Sequence, residues 1–260
     1  MYYSRAIQLT DEELRQFKIV EEDDDLNSWF YDTFINGEQS VGEKTFKLPY
    51  FTQIGNGTLD PQRYGSLIVL DAFYCFNSTY TLYQILQRMK GSSDYSKVFI
   101  EAVDGLYKKY YKFVGGFVTD WHLKSIGNLP KPEDADAVSK LMDVCIVPTD
   151  TMRDYAQFER NVATDPSTEP VYALVTLFPC FAFWPWLFWK FGTPLDTNVY
   201  KGWIESNQGG GSAKAVNSII ATEWQGKGKA FDKSTVIQLM KRSMSFEAAL
   251  FADAVPIAEK

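Results

Sequence analysis

Histidine is almost missing from this chain: His122 is the single one in 260 residues. Any site that needs two or more histidines from one chain is therefore excluded. Heme ligation would have to use His122, whose surroundings do not suit it, and a diiron carboxylate site would need Glu-x-x-His pairs, which are absent. Cysteine is scarce as well. Cys75, Cys145 and Cys180 are odd in number, widely spaced and form no Cys-x-x-Cys pair. Neither a disulfide framework nor a zinc site is expected, and reduced thiols in a cytoplasmic protein fit best. Positive charge is outweighed, with 26 Lys and Arg against 33 Asp and Glu for a net charge of −7. The electrostatic footprint of a nucleic-acid or anionic-membrane binder is absent. Met1 to Thr10 has no apolar run after a basic start, so no secretory signal is expected. The sequons at Asn56 and Asn77 then read as incidental.

What the chain does have is aromatic bulk, 16% of its residues. Aromatic side chains bury large areas, so a sizeable core or an aromatic-lined pocket is expected. One run stands apart: Val171 to Trp189 carries no charge and is long enough to span a membrane. Pro179 and Pro185 interrupt it and its flanks are polar. The expected reading is a central helix of a soluble protein, kinked at Pro179 beside Cys180; a membrane span is the competing one.

Helical patterning dominates, and strand-like alternation and repeats are lacking. Thr10 to Glu13 reads as a capping box opening a short helix that ends near the acidic run Glu21 to Asp25. Asp60-Pro61 reads as a cap followed by proline at the first helical position, opening a helix to about Met89. Further helices are expected from Val98 to about Trp121, with a possible break at Gly115-Gly116, then Pro132 to about Val147, and Thr149 to Ala163. The apolar helix should end at Gly192-Thr193-Pro194. Two short helices follow, separated by Gly209 to Gly211, and the last runs from Asp232–Thr235 to about Val255. The pattern predicts an all-α bundle. Residues 1–46 are expected to form an N-terminal extension packing on or flanking a helical domain of residues 47–260.

Three places carry chemistry. Asp71, Tyr74 and Cys75 share one helix face at i, i+3 and i+4. Among apolar neighbours a carboxylate is either paired and functional or turned to solvent, and spacing alone leaves both open. Cys180 lies among Phe178, Phe181, Phe183 and Trp184. It reads as a small buried hydrophobe or as a nucleophile, the latter needing an activating partner. Glu247 sits in an apolar stretch of the last helix. If buried there, its pKa would rise into a range suited to giving a proton at neutral pH; if turned outward, it is a solvated side chain.

The order of these pieces resembles the thiaminase II (TenA) family, Cys-containing subgroup. Ile54 to Leu59, Arg63-Tyr64 and Leu70-Asp71-Ala72-Phe73-Tyr74 resemble its opening, with a Gly-x-Leu turn, an aromatic and Gln-Asp-x-x-Tyr. Leu177-Phe178-Pro179-Cys180-Phe181 resembles its Leu-x-Pro-Cys-aromatic segment. Tyr200 to Ile204 resembles its Tyr-x-x-Trp-Ile, and Phe246-Glu247 with Phe251 resembles its C-terminal Glu-x-x-Phe helix. The resemblance spans about residues 47 to 256. It implies a heme-oxygenase-like all-α fold, a homo-oligomer (tetramer or dimer), no cofactor and no metal. The implied substrate is thiamin or an aminomethyl-pyrimidine derived from it. Cys180 would add to the pyrimidine ring, Glu247 would hold and protonate a ring nitrogen, and Asp71 would accept from the ring amino group and help activate the thiol. Tyr74 and Tyr155 match site-lining tyrosines.

Three positions depart from the pattern. Leu70 replaces a glutamine. Trp184 and Asn207 stand where tyrosines are common, at positions implied to line the substrate. Losing a hydroxyl at 207 changes how water is positioned or favours another acceptor, and an indole at 184 reshapes the leaving-group side. The alternatives to a hydrolase are thus a transferase using an amine or thiol acceptor, and a non-catalytic binder of a flat heterocycle.

Overall fold

The structure is a computed structural model that describes residues 30–120, 148–209, 213–220 and 232–253, with the backbone alone at 116–120 and 233. The capping box at Thr10, the acidic run, His122, Cys145, the helix expected over 132–147 and the loop Gly226 to Gly228 lie outside the described residues. One π-helical turn, Tyr31–Ile35, precedes α1 (Val41–Phe46), α2 (Pro49–Gly55), α3 (Pro61–Lys90), α4 (Lys97–Asp120), α5 (Asp150–Thr164), α6 (Pro170–Trp189) and α7 (Lys201–Asn207). Helices α8 (213–220) and α9 (Lys233–Asp253) complete the set, and the described residues contain no strand.

Capping explains where several helices start. The Asp60 carboxylate accepts from the backbone N–H groups of Gln62 at 2.8 Å and Arg63 at 3.2 Å. Thr149 does the same for Met152, Ser40 for Glu43, and Asp232 for Ser234 and Thr235. Each satisfies amide donors that a helix start leaves without intrahelical partners. α4 continues through Gly115-Gly116, where a break was allowed for. Nothing lies within 4 Å of where a Gly115 side chain would point. The glycine thus costs the helix only about 1 kcal/mol relative to alanine, too little to end it. α6 continues through Pro179 and Pro185. Its apolar window is 89% buried, so it is a core helix. Gly192, at φ 63°, ends that segment in a left-handed conformation that suits glycine.

The chain divides into two compact units, residues 1–64 with 175–260, and residues 65–174. The core of the first is aromatic. The Phe251 ring lies 4.7 Å from Phe51 and 5.1 Å from Trp184, and Phe30 meets Phe178 edge-on at 5.3 Å. The Tyr31 hydroxyl donates to the Ala182 carbonyl, and burial pushes its phenol up. Lys190 pairs with Glu43 and lies over the rings of Phe46 and Trp186. In the second unit, Arg88 donates to the carbonyls of Ala163 and Thr168, and Tyr95 donates to Glu169 at 2.6 Å. These bonds tie the end of α3 and the start of α4 to the turn between α5 and α6.

Two sequence fragments far apart in the chain meet inside the first unit. The Asn198 amide donates to the carbonyls of Ile54 and Gly55, each at 2.9 Å. The Tyr200 hydroxyl donates to the Leu59 carbonyl at 2.6 Å. Gly57 between them has φ 71°, and a Cβ there would sit 3.2 Å from the Asn198 side-chain oxygen. Only glycine satisfies both the angle and the close approach. The Gly-x-Leu turn therefore serves as a seat for the loop that leads into α7.

Candidate active site

In the first unit the site residues come from α6, α7 and α9. Cys180 and Trp184 are four residues apart on α6, hence on one face. Both are buried. Glu247 on α9 is 1% exposed, so the outward-facing alternative is removed. The Trp184 indole N–H donates to Glu247 Oε2 at 3.1 Å. An indole nitrogen is a donor only, so this bond fixes which way the carboxyl turns. The Trp184 ring is held in turn, stacked on Phe188 at 5.8 Å and edge-on to Trp203 at 6.4 Å. Trp203 packs edge-on against Phe188 at 4.5 Å and Tyr64 at 5.3 Å. The structure thus joins Glu247 to Trp184, one turn beyond Cys180. Asn207 is buried on α7, and its amide group donates to the Trp203 carbonyl at 2.8 Å and to Ser206 Oγ at 3.4 Å. Its N–H groups serve its own helix.

In the second unit Asp71 is buried, settling the alternative left open by its spacing. Burial pushes its carboxyl up to about 7, against the lowering effect of the Cys75 thiol, which donates to Oδ1 at 3.6 Å. Tyr74 and Tyr155 are also brought together, their rings stacked at 4.9 Å and their hydroxyls 3.2 Å apart. The Tyr74 hydroxyl donates to Glu159 Oε1 at 2.8 Å. Glu159 is fully buried and takes further bonds on Oε2 from Asn77 at 3.4 Å and Ser78 at 3.5 Å. Arg160 donates to the Asn77 side-chain oxygen and lies over the Tyr80 ring. Sequence reasoning missed Glu159. Its signal was its place, four residues after Tyr155 on the buried face of α5.

The raised Asp71 has a consequence for stability. Its folded pKa of about 7 lies above its unfolded value near 4. The folded state therefore holds a proton that the unfolded state has lost, and this contribution is fully present below pH 4 and disappears as pH rises to 7. Three units correspond to roughly 4 kcal/mol. Denaturant melts at pH 4 and pH 8 should show wild type losing stability relative to Asp71→Asn across that interval. A constant difference between the two proteins would contradict it.

No family model matches the chain, and no curated protein matches it significantly. A solved structure does: the TenA homologue protein from P. horikoshii OT3 superposes with a TM-score of 0.63 at 15% identity, covering 88% of this chain and 98% of that one. The chain has the TenA fold. At that identity the likeness speaks for the fold, the heme-oxygenase-like all-α arrangement.

Proposed function

We propose that this chain is a thiaminase II-like hydrolase acting on thiamin or aminomethyl-pyrimidine breakdown products. The observation that carries the reading is the Trp184–Glu247 bond, which orients a buried carboxyl beside the helical turn bearing Cys180. The Cys180 thiolate adds to a ring carbon of the pyrimidine, and Glu247 gives a proton to a ring nitrogen, so that the ring takes up the electron pair. The pair then expels thiazole or ammonia from the exocyclic methylene. Water adds to that methylene and loses a proton, the thiolate leaves, and the ring nitrogen returns its proton to Glu247 as the aromatic ring is restored. The product is a hydroxymethyl-pyrimidine. The same reading makes the protein a cytoplasmic homo-oligomer, tetramer or dimer, without a cofactor.

A transferase is the second reading, and one observation favours it. The Asn207 amide is committed to Trp203 and Ser206, so its N–H groups do not replace the hydroxyl that would hold water. A mass-spectrometric assay with thiamin and with aminomethyl-pyrimidine, with and without an added amine or thiol, separates the readings. Hydroxymethyl-pyrimidine formed without acceptor is the expected result, and Glu247→Gln should reduce it at least about 100-fold. Turnover only with an acceptor would establish the transferase. No turnover under any condition would leave a binder of flat heterocycles.

A further inference from the structure

Ser243 on α9 is fully buried, and its hydroxyl has no hydrogen-bond partner among the described residues. Hydroxyls within helices usually bond the carbonyl four residues back. Thr79, Ser218 and Ser245 all do so here, each at 2.9 Å. Ser243, two residues before Ser245, does not bond its own helix in this way. A buried hydroxyl left unmet costs free energy that an apolar side chain would not, so each such case calls for a cause.

The cause we find is its position. Ser243 precedes Glu247 by four residues, so the two share one face of α9. Helical side chains lean toward the N-terminus, which brings the Glu247 side chain over the turn that carries Ser243. The same stripe continues as Met240 and Phe251, both buried and apolar. Side chains one turn apart stand about 5–6 Å from each other, the span of one substituted six-membered ring. We propose that Ser243 is a ligand-binding residue whose hydroxyl meets the polar arm of the heterocycle that Glu247 holds by a ring nitrogen. The ligand class is a heteroaromatic ring with a hydroxymethyl or aminomethyl arm. This rests on the reading of Glu247 given above.

The test is calorimetric titration with two probes: an aminopyrimidine with a hydroxymethyl arm, and the same ring with a methyl arm. Wild type should prefer the hydroxymethyl ring about tenfold. Ser243→Ala should lose that preference through weaker binding of the hydroxymethyl ring alone, while Ser243→Thr keeps it. Without ligand, Ser243→Ala should melt at or above wild type, since it removes an unmet polar group. An unchanged preference in Ser243→Ala, or equal weakening toward both rings, overturns the proposal and leaves the reading of Glu247 standing. Melting well below wild type also overturns it, because the hydroxyl would then serve the fold. Binding of neither ring by wild type removes the parent reading and this proposal with it.

Discussion

Cys180→Ser is expected to lower kcat/KM for pyrimidine release at least about 10³-fold while leaving the melting temperature nearly unchanged. The exchange replaces one small buried group by another on α6, and Cys180 is already 9% exposed. The packing around this position therefore changes little. The chemistry changes greatly. A thiol ionises far more easily than a hydroxyl, its thiolate is intrinsically nucleophilic and departs easily at the end of the cycle, whereas a serine hydroxyl needs a strong base beside it. Steady-state assays paired with thermal melts decide the matter. A folded variant that keeps a tenth or more of wild-type activity would show that Cys180 is not the nucleophile.

Glu159→Ala is expected to produce the largest loss of stability, about 3–5 kcal/mol. It removes the acceptor of the Tyr74, Asn77 and Ser78 donors at once, in a place with no exposure. Ser78 then loses its acceptor, Tyr74 and Asn77 fall back on Tyr155 and the Ala156 carbonyl, and a cavity opens beside the stacked tyrosines. For a chain of this length each kcal/mol moves the midpoint by roughly 2–4 °C, so a fall of about 10 °C is predicted by differential scanning calorimetry. Glu159→Gln should fall by less, since one oxygen still accepts. A midpoint within about 2 °C of wild type for the alanine variant would mean that the network contributes nothing to folding.

The helices were the most legible part, because their signals are local. Asp60-Pro61 opens α3 and Thr149 caps α5 as the residues imply. The helix expected from Val98 to about Trp121 runs unbroken through Gly115-Gly116, since a glycine weakens a helix without having to end it. The chemistry was legible by kind and less so by partner. Glu247 and Asp71 were candidates from their apolar surroundings, yet nothing local tells that an indole 63 residues away holds Glu247. Glu159 had only its spacing from Tyr155 as a signal, and Ser243 had none. Their meaning comes from packing: one is surrounded by donors, the other by none, and that distinction exists only once the chain is folded.

The covering of α6 also bears on how the protein is made. Its Phe183 and Trp184 rest on Phe251, which belongs to the last described helix. Between Trp189 and Phe251 the ribosome adds 62 residues, about 3–12 s of synthesis at ordinary rates. For that interval a twenty-residue apolar helix of membrane-like composition lacks part of its packing. The nascent chain thus presents a segment attractive to chaperones and to its own neighbours on a polysome, and slow synthesis of α9 would lengthen that exposure.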